Sequence, residues 1–170
     1  MQRSIIITFA LCAMTWSLFA ADLNQDLAPG SYQIRNRKFD ELLRPENASN
    51  ADGTHIVLYP AQPWKCMTWK LLPAGPSAFY LQNYFTRKTF ESKTNAAGFV
   101  VIQIPLAREA AHRPSWHFTK LSNGFYRITG GRSGESLTAS SESVITLAPW
   151  KEMPEQQWHL AVADPAKLTM

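Results

Sequence analysis

The sequence predicts an all-β domain made of three consecutive repeats of one structural unit. A tryptophan recurs at positions 69, 116 and 158, and each copy opens a short stretch of alternating polar and apolar residues. A second block, an aromatic residue followed two positions later by isoleucine or leucine, recurs at 32, 79 and 126, so its copies are 47 residues apart. Self-similarity at a fixed period of tens of residues indicates a repeat architecture.

Each repeat is predicted to contain about four short strands, which the first repeat displays most clearly. The block 32–34 alternates apolar and polar residues, 42–43 follows after a polar turn, 56–59 is a β-branched and aromatic run ended by Pro60, and 67–72 is the fourth strand. Strand signals spaced by roughly 8–12 residues are typical of all-β proteins. Only residues 106–112 could support a helical turn. Twelve strands favour a closed barrel of pseudo-threefold symmetry with a hairpin cap, because closure leaves no strand edge unpaired.

The first twenty residues are predicted to be a secretory signal peptide. Arg3 supplies a positive charge, 5–19 is an apolar run, and small residues at Ala20 and Ala21 suit cleavage. A retained anchor is the alternative, but the run is short for a membrane span of roughly 20 residues. We therefore expect a secreted or periplasmic protein with no membrane contact after cleavage.

The predicted domain organisation follows from the repeats. A lead-in covers residues 21–30, a single domain covers 31–164, and a tail covers 165–170. The three repeats divide the domain at about 31–75, 76–123 and 124–164.

Charge and cysteine content exclude several classes of protein. The formal net charge is +4 at pH 7, and the basic residues are dispersed rather than gathered in the stripe of a nucleic-acid-binding protein. Cys66 is the only cysteine outside the signal peptide, so no intrachain disulfide is expected. We predict that it is a small buried hydrophobic residue.

Catalytic and metal-binding patterns are absent from the sequence. The histidines are scattered, and His117 and His159 each follow a repeat tryptophan, which indicates a structural register. There is no nucleophile elbow, paired metal-binding histidine motif or phosphate-binding loop, and no cluster with metal-ligand spacing. We expect no enzymatic activity, no cofactor and no metal.

The repeated blocks resemble the ricin-B-type β-trefoil family. That family carries a Gln-x-Trp triplet near the end of each repeat, which Gln156-Gln157-Trp158 matches; Met67 and Pro114 replace the glutamine in the other two repeats. The family's disulfide-forming cysteines are missing. The resemblance covers residues 31–163 and implies a β-trefoil fold and carbohydrate binding.

In that family a sugar pocket combines a carboxylate that accepts hydroxyl hydrogens, an aromatic face and orienting amides. The resemblance places Arg44 at the carboxylate position of the first repeat and Tyr59 at its aromatic position. In the second repeat Glu91 supplies a carboxylate, but Ile104 replaces the aromatic residue and Gln103 is shifted by one. No repeat keeps the full set. The candidate carbohydrate-binding residues are Asp40, Glu41, Arg44, Tyr59, Trp64, Glu91, Gln103, Trp150 and Gln156.

The first repeat is the favoured site, with Tyr59 as platform, Trp64 as a second wall, and Asp40 or Glu41 in place of the missing carboxylate. The function we expect is a secreted, lectin-like protein that binds a glycan or glycoprotein through a divergent site. The alternative is a secreted β-trefoil that binds a protein through loops such as 106–114, for example a protease inhibitor.

Overall fold

Twelve β-strands make up nearly all of the regular structure in the described part of the chain, for which a computed structural model is available. The structure describes residues 27–95, 98–130, 134–141 and 143–170. The predicted signal peptide and most of the lead-in therefore lie outside the described residues. Within the described part, no helix is long and apolar enough to cross a membrane.

The strands fall into three consecutive groups of four, as the repeats predict. They are β1 (Gly30–Asn36), β2 (Leu42–Pro45), β3 (Ile56–Tyr59), β4 (Thr68–Gly75), β5 (Ala78–Asn83), β6 (Thr89–Asn95), β7 (Gly98–Ile104), β8 (Ser115–Lys120), β9 (Tyr126–Gly130), β10 (Ser136–Ala139), β11 (Ile145–Ala148) and β12 (Gln157–Val162). Short 3-10 turns occupy Glu46–Ala48, Lys65–Met67, Ala110–His112, Pro154–Gln156 and Pro165–Lys167. The third of these lies within the segment 106–112 for which a single helical turn is predicted.

Six strands close a barrel and the other six cap it. Strand β1 pairs with β4, β4 with β5, β5 with β8, β8 with β9, β9 with β12, and β12 returns to β1, all antiparallel. The hairpins β2–β3, β6–β7 and β10–β11 each belong to one repeat. The predicted all-β, β-trefoil architecture with pseudo-threefold symmetry is confirmed.

The repeated residues form the centre of the hydrophobic core. Ile34, Leu81 and Ile128 are fully buried, and each lies at the same register of the first strand of its repeat. The three repeat tryptophans are buried in the same cluster. Since alternate residues of a strand face opposite sides, the polar positions between them face outward.

The corner after the first strand of each repeat is also repeated. The backbone N–H groups of Asp40, Arg87 and Gly134 donate to the carbonyls of residues 36, 83 and 130. All three have a left-handed backbone, with φ of 58°, 62° and 67°. Only the third position is glycine, the residue that adopts this conformation without a steric penalty. The sequences of the other two repeats therefore carry no glycine that would predict the corner.

Candidate functional site

An open pocket of about 360 Å³ lies beside the cap hairpin of the first repeat. Its lining includes three residues of the predicted site, Arg44, Tyr59 and Trp64, and five residues outside that prediction. The side chains that define it are Arg44, Asn47, Tyr59, Trp64, Phe85 and Met170.

The β2–β3 hairpin brings Arg44 and Tyr59 together. Leu42 pairs with Tyr59, and Arg44 with Val57, so Arg44 and Tyr59 are diagonal neighbours on one face of the hairpin. The guanidinium carbon of Arg44 lies 4.1 Å from the centre of the Tyr59 ring. A cation over an aromatic face contributes roughly 0.5–2 kcal/mol, more when the pair is desolvated. The two side chains therefore hold each other in place.

Trp64 forms the adjacent wall of the pocket. Its ring centre is 6.1 Å from that of Tyr59, with an angle of 31° between the ring planes. The backbone of Trp64 is fixed by a parallel bridge to Thr169, and its side chain packs on a small buried cluster of Leu42, Cys66 and Met67. Tyr59 remains 40% exposed. The pocket thus offers aromatic surface to a ligand. The position of Trp64 is fixed by the bridge to Thr169 and by packing on the buried cluster.

Arg44 is the electrostatically unusual residue of the pocket. Only 7% of it is exposed, and its Nε is enclosed without a hydrogen-bond partner. Beneath it, burial raises the pKa of the Cys66 thiol, and the nearby Arg44 guanidinium only partly offsets this effect. Cys66 is a free, buried cysteine, as predicted, and it forms part of the pocket wall as a neutral group.

The two acidic residues predicted to replace the carboxylate do not line this pocket. Asp40 lies on the left-handed corner, where its carboxylate accepts a hydrogen bond from Arg35 at 2.9 Å. Glu41 follows it, and its carbonyl accepts from the backbone N–H of Asn36. The corner is closed on itself by these bonds, so the loop does not fold back over Arg44. Arg44 therefore remains the charged group at the position where the resemblance implies a carboxylate.

A second pocket of about 400 Å³ is lined by residues that include Glu91, Phe99, His112 and Arg113. Glu91, the acceptor of the runner-up site in the second repeat, thus lines a different pocket from Tyr59. Gln103 is fully buried; its amide donates to the carbonyls of Ser49 and Ala51 and accepts from Thr86. It joins the cap hairpins and is not presented to either pocket.

The third repeat uses its predicted residues differently. Gln156 is 2% exposed; its amide donates to the carbonyl of Pro149 and to Thr138, and it accepts from the backbone of Lys151. The glutamine of the Gln-x-Trp triplet therefore clamps the loop before it. Trp150, in this loop, is half-buried and lies under the guanidinium of Arg127 at 5.1 Å.

Five pocket residues were not among the predicted site residues: Asn47, Ala48, Cys66, Phe85 and Met170. Asn47 has a left-handed backbone with φ of 52°, which asparagine tolerates better than most residues. Phe85 comes from the corner of the second repeat, and Met170 follows Thr169, which bridges to Trp64. A search confined to one repeat cannot find Phe85, because the pocket spans the boundary between two repeats. The asparagine after a proline-ended strand was the one available signal.

Among the described residues, no group of three or more His, Cys, Asp or Glu side chains is placed to hold a metal ion. The chemistry that the first pocket offers is stacking, one guanidinium and one amide.

Comparison with known proteins supports the fold. No protein-family model and no curated protein sequence matches the chain. Among solved structures, it is similar to ThreeFoil, a designed 3-fold symmetric protein (TM-score 0.68, 22% identity, 77% of this chain and 97% of that one). It is also similar to the Macrolepiota procera ricin B-like lectin in complex with lactose (TM-score 0.65, 19% identity, 79% and 97%). A third is the BEL β-trefoil (TM-score 0.66, 12% identity, 83% and 100%).

The chain therefore has the β-trefoil fold, which it shares with ricin B-like lectins. At these identities the likeness defines the fold, and fold alone does not define function.

Proposed function

We propose that this protein is a secreted or periplasmic lectin-like protein that binds a glycan in the pocket formed by Arg44, Tyr59 and Trp64. The observation that carries the proposal is the pair of tilted aromatic rings, 6.1 Å apart, on an open pocket of about 360 Å³. Ligand pockets in proteins typically enclose about 300–1,000 Å³ and combine aromatic surface with a few polar groups.

The position of the pocket supports the same proposal. The resemblance to ricin-type lectins places the sugar-stacking aromatic residue at Tyr59, and the cavity lies at this residue. The apolar face of a pyranose ring stacks on aromatic surface, and this contact needs none of the polar groups of the family's pocket. Loss of the family's other polar groups therefore changes which sugar is bound more than it changes whether a ring can be held.

A glycan array probed with the mature protein tests this proposal. We expect binding to a restricted set of glycans, and weaker signals for Tyr59→Ala than for Trp150→Ala, which changes an aromatic residue outside the pocket. Melting temperatures of both variants serve as the control for folding. A blank array for a folded protein would remove the proposal.

The protein-binding alternative is tested in the same experiment. The mature protein is added to a panel of proteases alongside the array. If a protease is inhibited and no glycan is bound, the proposed function changes from that of a lectin to that of a protease inhibitor acting through its loops.

A further inference from the structure

We infer that the first-repeat pocket selects an acidic sugar, and that Arg44 binds the anionic group of this sugar. The inference rests on the proposed function, because it names the class of glycan that the same pocket would take. The ligand class is a pyranose that carries a carboxylate or a sulfate ester, since both groups offer two coplanar oxygens to a guanidinium.

The first observation is a buried cation without a counter-ion. Arg44 is 93% removed from solvent, being 7% exposed, and its guanidinium forms no hydrogen bond or ion pair with any described residue. Within the described part of the chain, the guanidinium lies over the ring of Tyr59. An unpaired charge held away from water is unfavourable. An anionic ligand would supply the partner that the described residues do not.

The second observation is the charge of the pocket lining. Among the described residues that line it, Arg44 carries the only charged side chain. The nearest predicted acids are occupied elsewhere, with Asp40 paired to Arg35 at 2.9 Å. Because none of the lining side chains is acidic, the side-chain charge of the pocket is that of Arg44, which favours an anion over a cation.

The third observation is the contact between the guanidinium and Tyr59. The guanidinium carbon lies 4.1 Å from the ring centre, so the aromatic side chain limits where the group can lie. A guanidinium is a planar fork that matches a carboxylate or sulfate with two parallel hydrogen bonds. Trp64, beside Tyr59, then provides a surface for the sugar ring, and the amide of Asn47 is available for a hydroxyl.

The replacement of an acid by Arg44 explains why a neutral, galactose-type ligand is disfavoured here. A carboxylate accepts hydrogens from two sugar hydroxyls, whereas a guanidinium has donors only. The pocket therefore has the opposite hydrogen-bonding polarity at this position, while it keeps the aromatic surface.

The test compares sugars that differ in one group only. Methyl glucuronide and methyl glucoside are titrated into the mature protein by NMR, as are galacturonic acid and galactose. Galactose 6-sulfate distinguishes a sulfate from a carboxylate. We expect each uronic acid or sulfated sugar to bind at least tenfold more tightly than its neutral counterpart, with the chemical-shift changes centred on the pocket.

Variants then assign the preference to Arg44. Arg44→Gln should remove the advantage of the acidic sugar, so that the affinities for the acidic and the neutral sugar fall within about twofold of each other. Arg127→Gln, which changes an arginine stacked on Trp150 outside the pocket, should leave the preference unchanged. If Arg44→Gln does not fold, Arg44→Lys keeps the charge without the planar fork and should give a reduced preference.

The outcomes separate this inference from the proposed function. Equal binding of acidic and neutral sugars, sensitive to Tyr59→Ala, would overturn the inference and leave a lectin. Tighter binding of the acidic sugar that survives Arg44→Gln would also overturn it. Binding of neither kind of sugar would overturn both.

Discussion

Trp69 and Trp158 donate the same hydrogen bond from equivalent positions in the first and third repeats. The indole Nε1 of Trp69 donates to the carbonyl of Leu43 at 2.9 Å, and that of Trp158 to the carbonyl of Leu137 at 3.0 Å. The third member, Trp116, is equally buried, but its Nε1 has no partner. In the second repeat, Phe90 occupies the position that corresponds to Leu43 and Leu137, and its ring centre is 4.8 Å from that of Trp116. The core is threefold in packing but not in hydrogen bonding.

This difference predicts unequal effects of the same substitution. Trp69→Phe and Trp158→Phe each leave a buried carbonyl without its donor, which costs about 1–3 kcal/mol. Trp116→Phe removes no hydrogen bond, so it should be less destabilising by about that amount. Urea unfolding of the three variants measures the free energies directly. Equal losses at all three positions would show that the indole hydrogen bonds contribute nothing.

Gln156 is predicted to act on stability rather than on ligand binding. Its side chain makes three hydrogen bonds within the protein, to Pro149, Thr138 and Lys151. Gln156→Ala should therefore lower the unfolding free energy by about 1–3 kcal/mol, because the loop loses its clamp. Glycan affinity, measured well below the melting temperature, should stay within about twofold. A selective loss of affinity in a variant of unchanged stability would place this residue in the site after all.

The Cys66 thiol predicts a dependence of stability on pH. Burial raises its pKa in the folded state, so the folded protein holds this proton to a higher pH than the unfolded chain does. The stabilisation is complete below the unfolded pKa of roughly 8.5 and is lost as the pH rises above it.

Cys66→Ala supplies the control, since it retains Tyr32, whose pKa is also raised by burial. Between pH 7 and about pH 10, the natural protein should lose more unfolding free energy than Cys66→Ala does. Parallel pH profiles for the two proteins would show that the thiol is accessible to water in the folded state.

The fold was predictable because the period is carried by large core residues. The tryptophans at 69, 116 and 158 recur because each repeat contributes one of them to the buried core. Arg44 and Tyr59 were assigned to one site by the resemblance, and the hairpin that pairs Leu42 with Tyr59 brings them together.

The completed pocket was not predictable from one repeat at a time. Phe85 enters it from the neighbouring repeat and Met170 from the tail, and neither contact leaves a trace in local sequence. Asp40 is only four residues before Arg44 in the sequence, which favoured placing it in the pocket. In the structure it has a left-handed backbone, and its side chain accepts a hydrogen bond from Arg35. The side chain of Gln103 is on the buried face of its strand, and its amide forms hydrogen bonds within the protein.

The most direct test of the glycan-binding proposal is the affinity of Tyr59→Ala for the strongest ligand from the array. Titration calorimetry should give a dissociation constant at least tenfold weaker than that of the natural protein, a loss of about 1.4 kcal/mol. Glu91→Ala, in the second pocket, should give a smaller change. A larger loss at Glu91 would move the site to the second repeat, and unchanged affinity in both variants would contradict a pocket of this kind.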